Sequence, residues 1–278
     1  MAETGGKHRP RKRFGQNFLH DPGVIRRIVA AIHPLRGEHI VEIGPGLGAL
    51  TLPLLQATGE LDVIELDRDL IPKLTEYCAG HGILRIHNAD ALRFDFAHLT
   101  SDGRKLRVMG NLPYNISTPL LFHLLAQAGC IQDMYFMLQK EVVERMIAAP
   151  GGSDYGRLSV MLQYRCAMEK LFTVGPGAFT PAPKIESAVV RLTPYPAPPV
   201  HIKDEARFAA VVKQAFSQRR KTLRNTLRGM VTEQQMRAVD IDANRRAETL
   251  SLEEYAALSN LVGVRGEEKA DLRLTPNA

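Results

Sequence analysis

The stretch VEIGPGLGALT, residues 41–51, places Gly44, Gly46 and Gly48 between an apolar strand pattern and an amphipathic helix pattern. Glycines at such a turn let the main chain bend tightly and approach a ligand, with the N-terminus of the following helix directed at it. The spacing fits G-x-G-x-x-[GA], which is typical of dinucleotide-binding dehydrogenases. Glu42 before the turn and the third glycine favour instead a loop for S-adenosylmethionine, which has no pyrophosphate. Both interpretations stay open on this stretch alone.

Around this loop, short apolar strands alternate with helical patterns. The predicted strands cover residues 39–44, 61–66, 83–90, 106–111 and 134–139, and the predicted helices start at residues 47, 68 and 117. Strands that are apolar on both faces, with helices between them, are typical of a parallel sheet covered by helices. After a predicted helix at 155–166, the runs 170–175 and 187–194 have no long helix between them, which predicts an antiparallel edge. The predicted fold class is therefore α/β, with a Rossmann-like sheet.

A proline-rich stretch divides the chain. PYPAPPV, residues 194–200, holds four of the 17 prolines and is typical of a linker. Helical spacing follows in 208–216, in the arginine-rich stretch up to 228 and in 251–262. We expect a catalytic domain with a basic N-terminal segment, a small all-helical domain and a loose tail, with the boundaries 1–199, 200–264 and 265–278.

The composition excludes several classes of protein. Hydrophobic residues make up 45% and charged residues 24% of the 278 residues, as in soluble globular proteins and unlike disordered or fibrous chains. No apolar run approaches the roughly 20 residues that span a bilayer, and no signal-peptide core is visible, so a cytoplasmic protein without membrane contact is expected. Cys78, Cys130 and Cys166 are widely separated, so neither a disulfide framework nor a metal site is expected.

Basic residues are concentrated in two places although the net charge is only +6. Residues 7–13 and 213–228 hold no acid, and the most prominent cations in them are Lys12, Arg13, Arg219, Arg220, Lys221 and Arg224. Two such clusters favour binding of a polyanion, most commonly nucleic acid, and the second would form a basic helix. From charge alone, a solvated tail and a solvated helix face are an equally good interpretation.

Four residues stand at the carboxyl ends of predicted strands: Gly44, Glu65, Asp90 and Asn111. Ligands of open α/β sheets bind along that edge. Glu65 can accept hydrogen bonds from both hydroxyls of a ribose, and Asp90 can accept one from an adenine amino group. A single acid at a strand end is more often a helix cap, but four such residues in register predict a nucleoside site.

The segment GNLPYNIS, residues 110–117, suits chemistry at an adenine amino group. The lone pair of that nitrogen is delocalised into the ring, so acceptors that hold its hydrogens make it a better nucleophile. The Asn111 side-chain oxygen and the Leu112 carbonyl are the predicted acceptors, Pro113 stiffens the turn, and the Tyr114 ring offers a face on which an extruded base can stack. We expect the ring of Tyr114, rather than its hydroxyl, to matter.

The sequence resembles the ribosomal RNA adenine N6-dimethyltransferases, most closely their bacterial small-subunit branch. The motifs that carry the resemblance are KRFGQNFL (12–19), VEIGPGLGALT (41–51), IELD (64–67), NAD (88–90), GNLPYNIST (110–118), FTPAPKIESAVVRL (179–192) and FSQRRKTLRNTL (216–227). The resemblance implies that S-adenosylmethionine is the methyl donor and that no metal is needed. Its site would be formed by Asn17, Leu19, Gly44, Glu65, Asp90 and Asn111.

The resemblance also implies a substrate and a further site residue. The substrate would be two adjacent adenosines near the 3′ end of small-subunit rRNA, met by a monomeric enzyme within an assembling subunit. Phe179 would stack on the target adenine opposite Tyr114, although the preceding VGPGA (174–178) departs from the Pro-Pro pair common in the family. Two alternatives remain: a resistance-type methyltransferase of large-subunit rRNA, and a ribosome-assembly factor whose catalysis is secondary.

Overall fold

The protein is represented by a computed structural model that describes residues 16–262, and these form two compact units. The first unit contains residues 16–143 and 166–196, and the second contains residues 144–165 and 197–262. The predicted tail at 265–278 lies outside the described residues. Within the described part of the chain, no helix is long and apolar enough to cross a membrane.

The first unit is built on a seven-stranded sheet and a separate two-stranded sheet. In chain order the strands are β1 (Phe18–Leu19), β2 (His39–Ile43), β3 (Glu60–Ile64), β4 (Ile83–His87), β5 (Leu106–Asn111), β6 (Ile131–Gln139), β7 (Cys166–Val174), β8 (Phe179–Thr180) and β9 (Ser187–Pro194). The large sheet has the order β4-β3-β2-β5-β6-β9-β7, and β1 pairs with β8. The Rossmann-like α/β fold is thereby confirmed.

The direction of the strands decides where polar groups meet. The strands from β4 to β6 are parallel, so their carboxyl ends share one edge. The last two strands, β9 and β7, are antiparallel to their neighbours, which confirms the predicted antiparallel edge. Because β9 runs against β6, its first residue, Ser187, lies opposite Gln139, the last residue of β6. The start of β9 is therefore at the edge where the parallel strands end.

Helices accompany the parallel strands of the first unit. They are α1 (Pro22–Ile32), α2 (Thr51–Thr58), α3 (Ile71–Cys78) and α4 (Ser117–Ala126), and α5 (Lys140–Ile147) follows β6. Helix α1 begins after Asp21, whose carboxylate accepts a hydrogen bond from Val24 N at 2.8 Å. Helix α2 begins four residues later than the predicted start at residue 47, because the glycine turn occupies the intervening positions. Apolar residues of β2, β3 and α2 are fully buried, among them Ile40, Val63, Leu54 and Leu55.

The second unit is helical and has its own core. Its helices are α6 (Arg157–Gln163), α7 (Glu205–Ala215), α8 (Leu223–Thr226), α9 (Glu233–Arg237) and α10 (Leu252–Leu261). The segment 144–165 also belongs to this unit, whereas the predicted boundary at residue 199 places it in the first domain. The reason is packing, since Tyr164 of this segment is buried with its ring centroid 5.1 Å from that of Phe208. The predicted helix at 155–166 is shorter, and Cys166 already begins β7.

The predicted basic helix over 216–228 is wrong. Only the four residues of α8 are helical, and the residues before them form turns. The main-chain N–H groups of Leu223 and Arg224 donate to the carbonyls of Arg245 and Ala243 at 2.9 Å, so they make no bonds to a preceding helical turn. Pairing with a segment twenty residues later therefore replaces helical hydrogen bonds here.

Candidate active site

A cavity of about 380 Å³ opens at the carboxyl edge of the parallel strands. This volume lies within the roughly 300–1,000 Å³ typical of small-molecule and cofactor sites. Its walls come from the N-terminal segment 16–19, the glycine turn, the end of β3 and the loops that follow β4 and β5. All six residues predicted for the methyl-donor site line it: Asn17, Leu19, Gly44, Glu65, Asp90 and Asn111.

The glycine turn lets two chain segments approach each other closely. Gly46 has a φ of +57°, a conformation that residues with a side chain rarely adopt. A Cβ atom added there would lie 3.0 Å from the ring of Phe18 in the N-terminal segment. The absence of a side chain at Gly46 thus allows the segment 16–19 to pack against the turn and to form one wall of the cavity.

Glu65 follows β3 directly and supports the turn from inside the protein. Its two carboxylate oxygens accept hydrogen bonds from Gly46 N at 3.3 Å and from Asp67 N at 2.7 Å. Burial raises the pKa of Glu65, although these main-chain donors oppose the rise. A carboxylate has about four acceptor positions. Besides Gly46 and Asp67, the main chain of Leu66 also donates to it, so part of this capacity remains for hydroxyl groups of a ligand.

Four carboxylates line the cavity, and none of its lining residues in the described chain is Lys, Arg or His. Two of the four, Glu42 and Asp67, were not predicted as site residues. The Glu42 carboxylate accepts from Thr51 Oγ1 at 2.6 Å, and burial raises the pKa of Glu42 to about 7. Asp67 accepts from Gln16 Nε2 at 3.2 Å. A cavity lined in this way suits a cationic ligand.

Asp90 lies in the loop after β4, three residues beyond His87. One of its oxygens accepts a hydrogen bond from Leu92 N at 3.0 Å, so the side chain closes a local turn. Its second oxygen accepts no hydrogen bond from residues 16–262 and can accept one from a ligand. The local turn and the ligand contact are compatible because they use different atoms of the carboxylate.

The side chain of Asn111, the last residue of β5, has a defined orientation. Its Nδ2 atom donates to the main-chain carbonyl of Asn17 at 2.9 Å. A carbonyl only accepts hydrogen bonds, so the nitrogen of the Asn111 amide must face Asn17. Among residues 16–262 no hydrogen bond goes to the amide oxygen, which is the acceptor that the chemistry predicted from the sequence requires.

Tyr114 is half-buried in the cavity wall, and three attachments hold its loop. Leu112 N donates to Met137 O at 3.2 Å, and Ser117 Oγ donates to the carbonyl of Tyr114 at 3.1 Å. The Tyr114 hydroxyl shares a hydrogen bond of 2.8 Å with Ser187 Oγ. Pro113 lies between these attachments and also lines the cavity.

Phe179 is not in the cavity wall. Only 3% of its surface is exposed, and it pairs with Leu19 across the two-stranded sheet of β1 and β8. Its ring belongs to the apolar core instead of facing a base. In this structure Phe179 therefore stabilises the N-terminal segment by pairing with Leu19 and packing in the core.

The basic residues predicted to contact RNA differ in whether their side chains already have a polar partner in the protein. Arg219 donates to Ser153 O at 3.0 Å, and Arg224 forms an ion pair of 2.8 Å with Glu233. Arg220 and Lys221 are exposed, and their side chains have no polar partner within residues 16–262. Lys12 and Arg13 lie outside the described residues.

Residues 16–262 contain no group of three or more His, Cys, Asp or Glu side chains placed to hold a metal ion. The glycine turn, the four carboxylates and the oriented amide of Asn111 fit S-adenosylmethionine. The sulfonium and ammonium groups of this molecule are cationic, and its adenosine offers hydroxyl and amino groups as hydrogen-bond donors.

Solved structures of similar fold include two transferases. A dimethyladenosine transferase from Plasmodium falciparum is 25% identical and has a TM-score of 0.72, with 87% of this chain and 95% of that chain covered. The 23S rRNA methyltransferase ErmE is also 25% identical and has a TM-score of 0.69, with 87% and 98% covered.

Curated relatives are much more similar in sequence. Ribosomal RNA small subunit methyltransferase A of Pseudomonas aeruginosa is 57% identical, with 91% of this chain and 95% of the relative covered. The protein of the same name from Nitrosococcus oceani is 59% identical, with 91% and 96% covered. Residues 7–263 match the family model described as ribosomal RNA adenine dimethylase. The chain therefore belongs to the ribosomal RNA adenine dimethylase family.

Proposed function

We propose that the protein uses S-adenosylmethionine to dimethylate the N6 amino groups of two adjacent adenosines near the 3′ end of small-subunit rRNA. Relatives named small subunit methyltransferase A, at 57% and 59% identity, support the small-subunit substrate. The 23S rRNA methyltransferase ErmE, at 25% identity, is much less similar. The small-subunit interpretation is therefore preferred to the resistance-type alternative.

The cavity supplies the contacts that the methyl donor needs. When bound, S-adenosylmethionine provides a methyl group activated by the positive charge of its sulfur. Glu65 and Asp90 are the proposed partners of the ribose hydroxyls and the adenine amino group, and the glycine turn leaves room for the main chain to approach. Asn17 and Leu19 close the cavity from the N-terminal side.

Asn111 carries the proposal, because its amide oxygen is the acceptor left free by the contact with Asn17. The Asn111 oxygen and the Leu112 carbonyl would accept the two N6 hydrogens of the target adenine. Held in this way, the nitrogen moves toward a tetrahedral geometry and its lone pair becomes available for attack. The methylated ammonium is strongly acidic, so no strong general base is required.

Tyr114 would hold the extruded base. Enzymes that modify a base take it out of its stack, and aromatic side chains then bind its face. Such stacking contributes about 1–3 kcal/mol per base and tolerates different sequences. Recognition of the particular adenosines must therefore come from other contacts with the RNA.

Arg220 and Lys221 are the best candidates for phosphate contacts in the second unit, because their side chains are exposed and unengaged within the described residues. Such contacts position the RNA and give affinity without reading its sequence. Lys12 and Arg13 are proposed to add to this binding. We also propose that the protein acts as a monomer in the cytoplasm, on a small subunit that is still being assembled.

The substrate can be tested with ribosomal particles from cells that lack this methyltransferase. Small-subunit and large-subunit particles are incubated separately with the protein and labelled S-adenosylmethionine, and the rRNA is digested for mass spectrometry. Two adjacent N6,N6-dimethyladenosines in the small-subunit rRNA alone are expected. Methylation of the large-subunit rRNA instead would support the resistance-type activity and contradict the proposal.

A further inference from the structure

Ser187, a buried serine outside all the predicted functional residues, lies at the edge of the candidate site. It is the first residue of β9 and only 1% of its surface is exposed. Its hydroxyl lies 2.8 Å from the hydroxyl of Tyr114, and within residues 16–262 no other side chain bonds to it. A buried hydroxyl requires a hydrogen-bond partner, so the pair is coupled.

The topology of the sheet explains why these two residues meet. Tyr114 follows β5, whose last residue pairs with Met137 of β6. Ser187 pairs with Gln139 at the end of β6, because β9 runs antiparallel to it. The side chain of Tyr114 therefore reaches across the end of β6 to the start of β9. Had β9 been parallel, its first residue would lie at the opposite edge of the sheet.

We propose that Ser187 is a positioning residue that fixes the ring of Tyr114 for stacking on the target adenine. The inference rests on the proposed function, in which that ring holds the base. The loop of Tyr114 is held by main-chain and Ser117 contacts, but these leave the ring free to rotate about its side-chain torsions. The bond to Ser187 is the contact that fixes the far end of the ring.

Under this proposal the hydroxyl of Tyr114 matters as well as its ring, in contrast to the expectation from the sequence. A phenylalanine at position 114 keeps the face of the ring but loses its anchor. It also leaves the Ser187 hydroxyl buried without a partner, which is unfavourable. Ser187→Ala removes the same anchor from the other side.

The test is a double-variant cycle in the full-length protein, with Tyr114→Phe, Ser187→Ala and their combination. We expect each single variant to lower kcat for RNA methylation roughly tenfold, because the base is held less firmly in the reactive geometry. KM for RNA and affinity for S-adenosylmethionine should change little. The combined variant should lose about as much as either single variant, since both act through one hydrogen bond.

Ser259→Ala is the matched control. Ser259 is also a buried serine with one hydrogen bond, to Ala256 O at 2.8 Å in the second unit. Its replacement should leave kcat unchanged. Unchanged kcat in Ser187→Ala, or losses that multiply in the combined variant, would overturn the inference.

A second measurement needs no RNA and separates this inference from the proposed function. 3-Fluorotyrosine placed at position 114 reports on the ring through its fluorine NMR signal. The signal is expected to shift or broaden in Ser187→Ala and to stay unchanged in Ser259→Ala. The same signal in all three proteins would overturn the inference, whereas a wild-type protein that methylates no rRNA would contradict only the proposed function.

Discussion

The side-chain amide of Asn111 donates to the main-chain carbonyl of Asn17, a residue 94 positions earlier in the chain. The segment that carries Asn17 is itself held by pairing of Leu19 with Phe179. The end of β5 and the N-terminal segment thus form one structure around the cavity. This hydrogen bond therefore links the N-terminal wall of the cavity to the proposed adenine acceptor.

Glu65→Ala should weaken binding of S-adenosylmethionine. Hydrogen bonds to a charged group contribute roughly 1.5–3 kcal/mol, and the variant also loses the support that Glu65 gives to Gly46 N. Calorimetric titration with S-adenosylmethionine measures the change, and Glu76→Ala, at an exposed position of α3, is the control. Unchanged affinity in a folded Glu65→Ala protein would exclude this residue from the donor site.

Gly110→Ala should destabilise the first unit. A Cβ atom at Gly110 would lie 2.4 Å from the main-chain oxygen of Ile43, which cannot move without shifting β2. Overpacking of this kind typically reduces the free energy of unfolding by about 1–3 kcal/mol. Urea denaturation checks this against Gly129→Ala, where a Cβ would meet no atom within 4 Å. Equal stability of the two variants would contradict the close approach of β2 and β5.

Glu42→Gln should change how stability depends on pH. The pKa of Glu42 is raised from 4.5 to about 7, so between these pH values the folded protein binds more protons at this site than the unfolded chain. The contribution of Glu42 to the free energy of unfolding therefore falls as the pH rises through this window. A pKa difference of this size corresponds to about 3 kcal/mol in the free energy of unfolding.

Because glutamine does not titrate, the free energy of unfolding of Glu42→Gln should rise relative to wild type between pH 5 and pH 8. Glutamine can still accept the hydrogen bond from Thr51, so packing changes little. Thermal and urea unfolding of both proteins across this pH range give the difference. A difference that does not vary with pH would show that Glu42 does not titrate there.

Replacing Arg220 and Lys221 together by alanine should weaken RNA binding and leave donor binding unchanged. The slope of log affinity against log salt concentration should flatten by about 0.7–0.9 for each phosphate that the variant no longer neutralises. Arg36→Ala with Lys105→Ala is the matched control, because these exposed cations precede β2 and β5, at the edge opposite the cavity. An unchanged slope would direct the search to Lys12 and Arg13.

Local patterns in the sequence predict the sheet and the cavity well. The strand that ends at Ile43 and the strand that ends at Asn111 follow from apolar runs bounded by glycine or proline turns. Glu65 and Asp90 then follow because the ends of parallel strands meet at one edge. The family assignment is confirmed by the match to residues 7–263.

Long-range contacts explain what the sequence could not predict. The orientation of the Asn111 amide depends on a carbonyl 94 residues away, and the anchor of Tyr114 depends on a strand 73 residues later. The basic stretch is not a helix because Leu223 and Arg224 pair with residues 243–245. The residue pattern of one segment does not reveal such partners, because each of the two contacting segments, taken alone, is compatible with several conformations.

The proposed role of the Asn111 amide is to promote methyl transfer to adenine N6. It is tested most directly by single-turnover transfer from labelled S-adenosylmethionine to small-subunit rRNA, followed by nucleoside analysis. Wild type should form N6,N6-dimethyladenosine, while Asn111→Ala should bind the RNA and lose transfer by roughly 10²-fold or more, as when a positioned polar group is removed from an active site. Methylation at another atom of the base, or full transfer by Asn111→Ala, would contradict this role of Asn111.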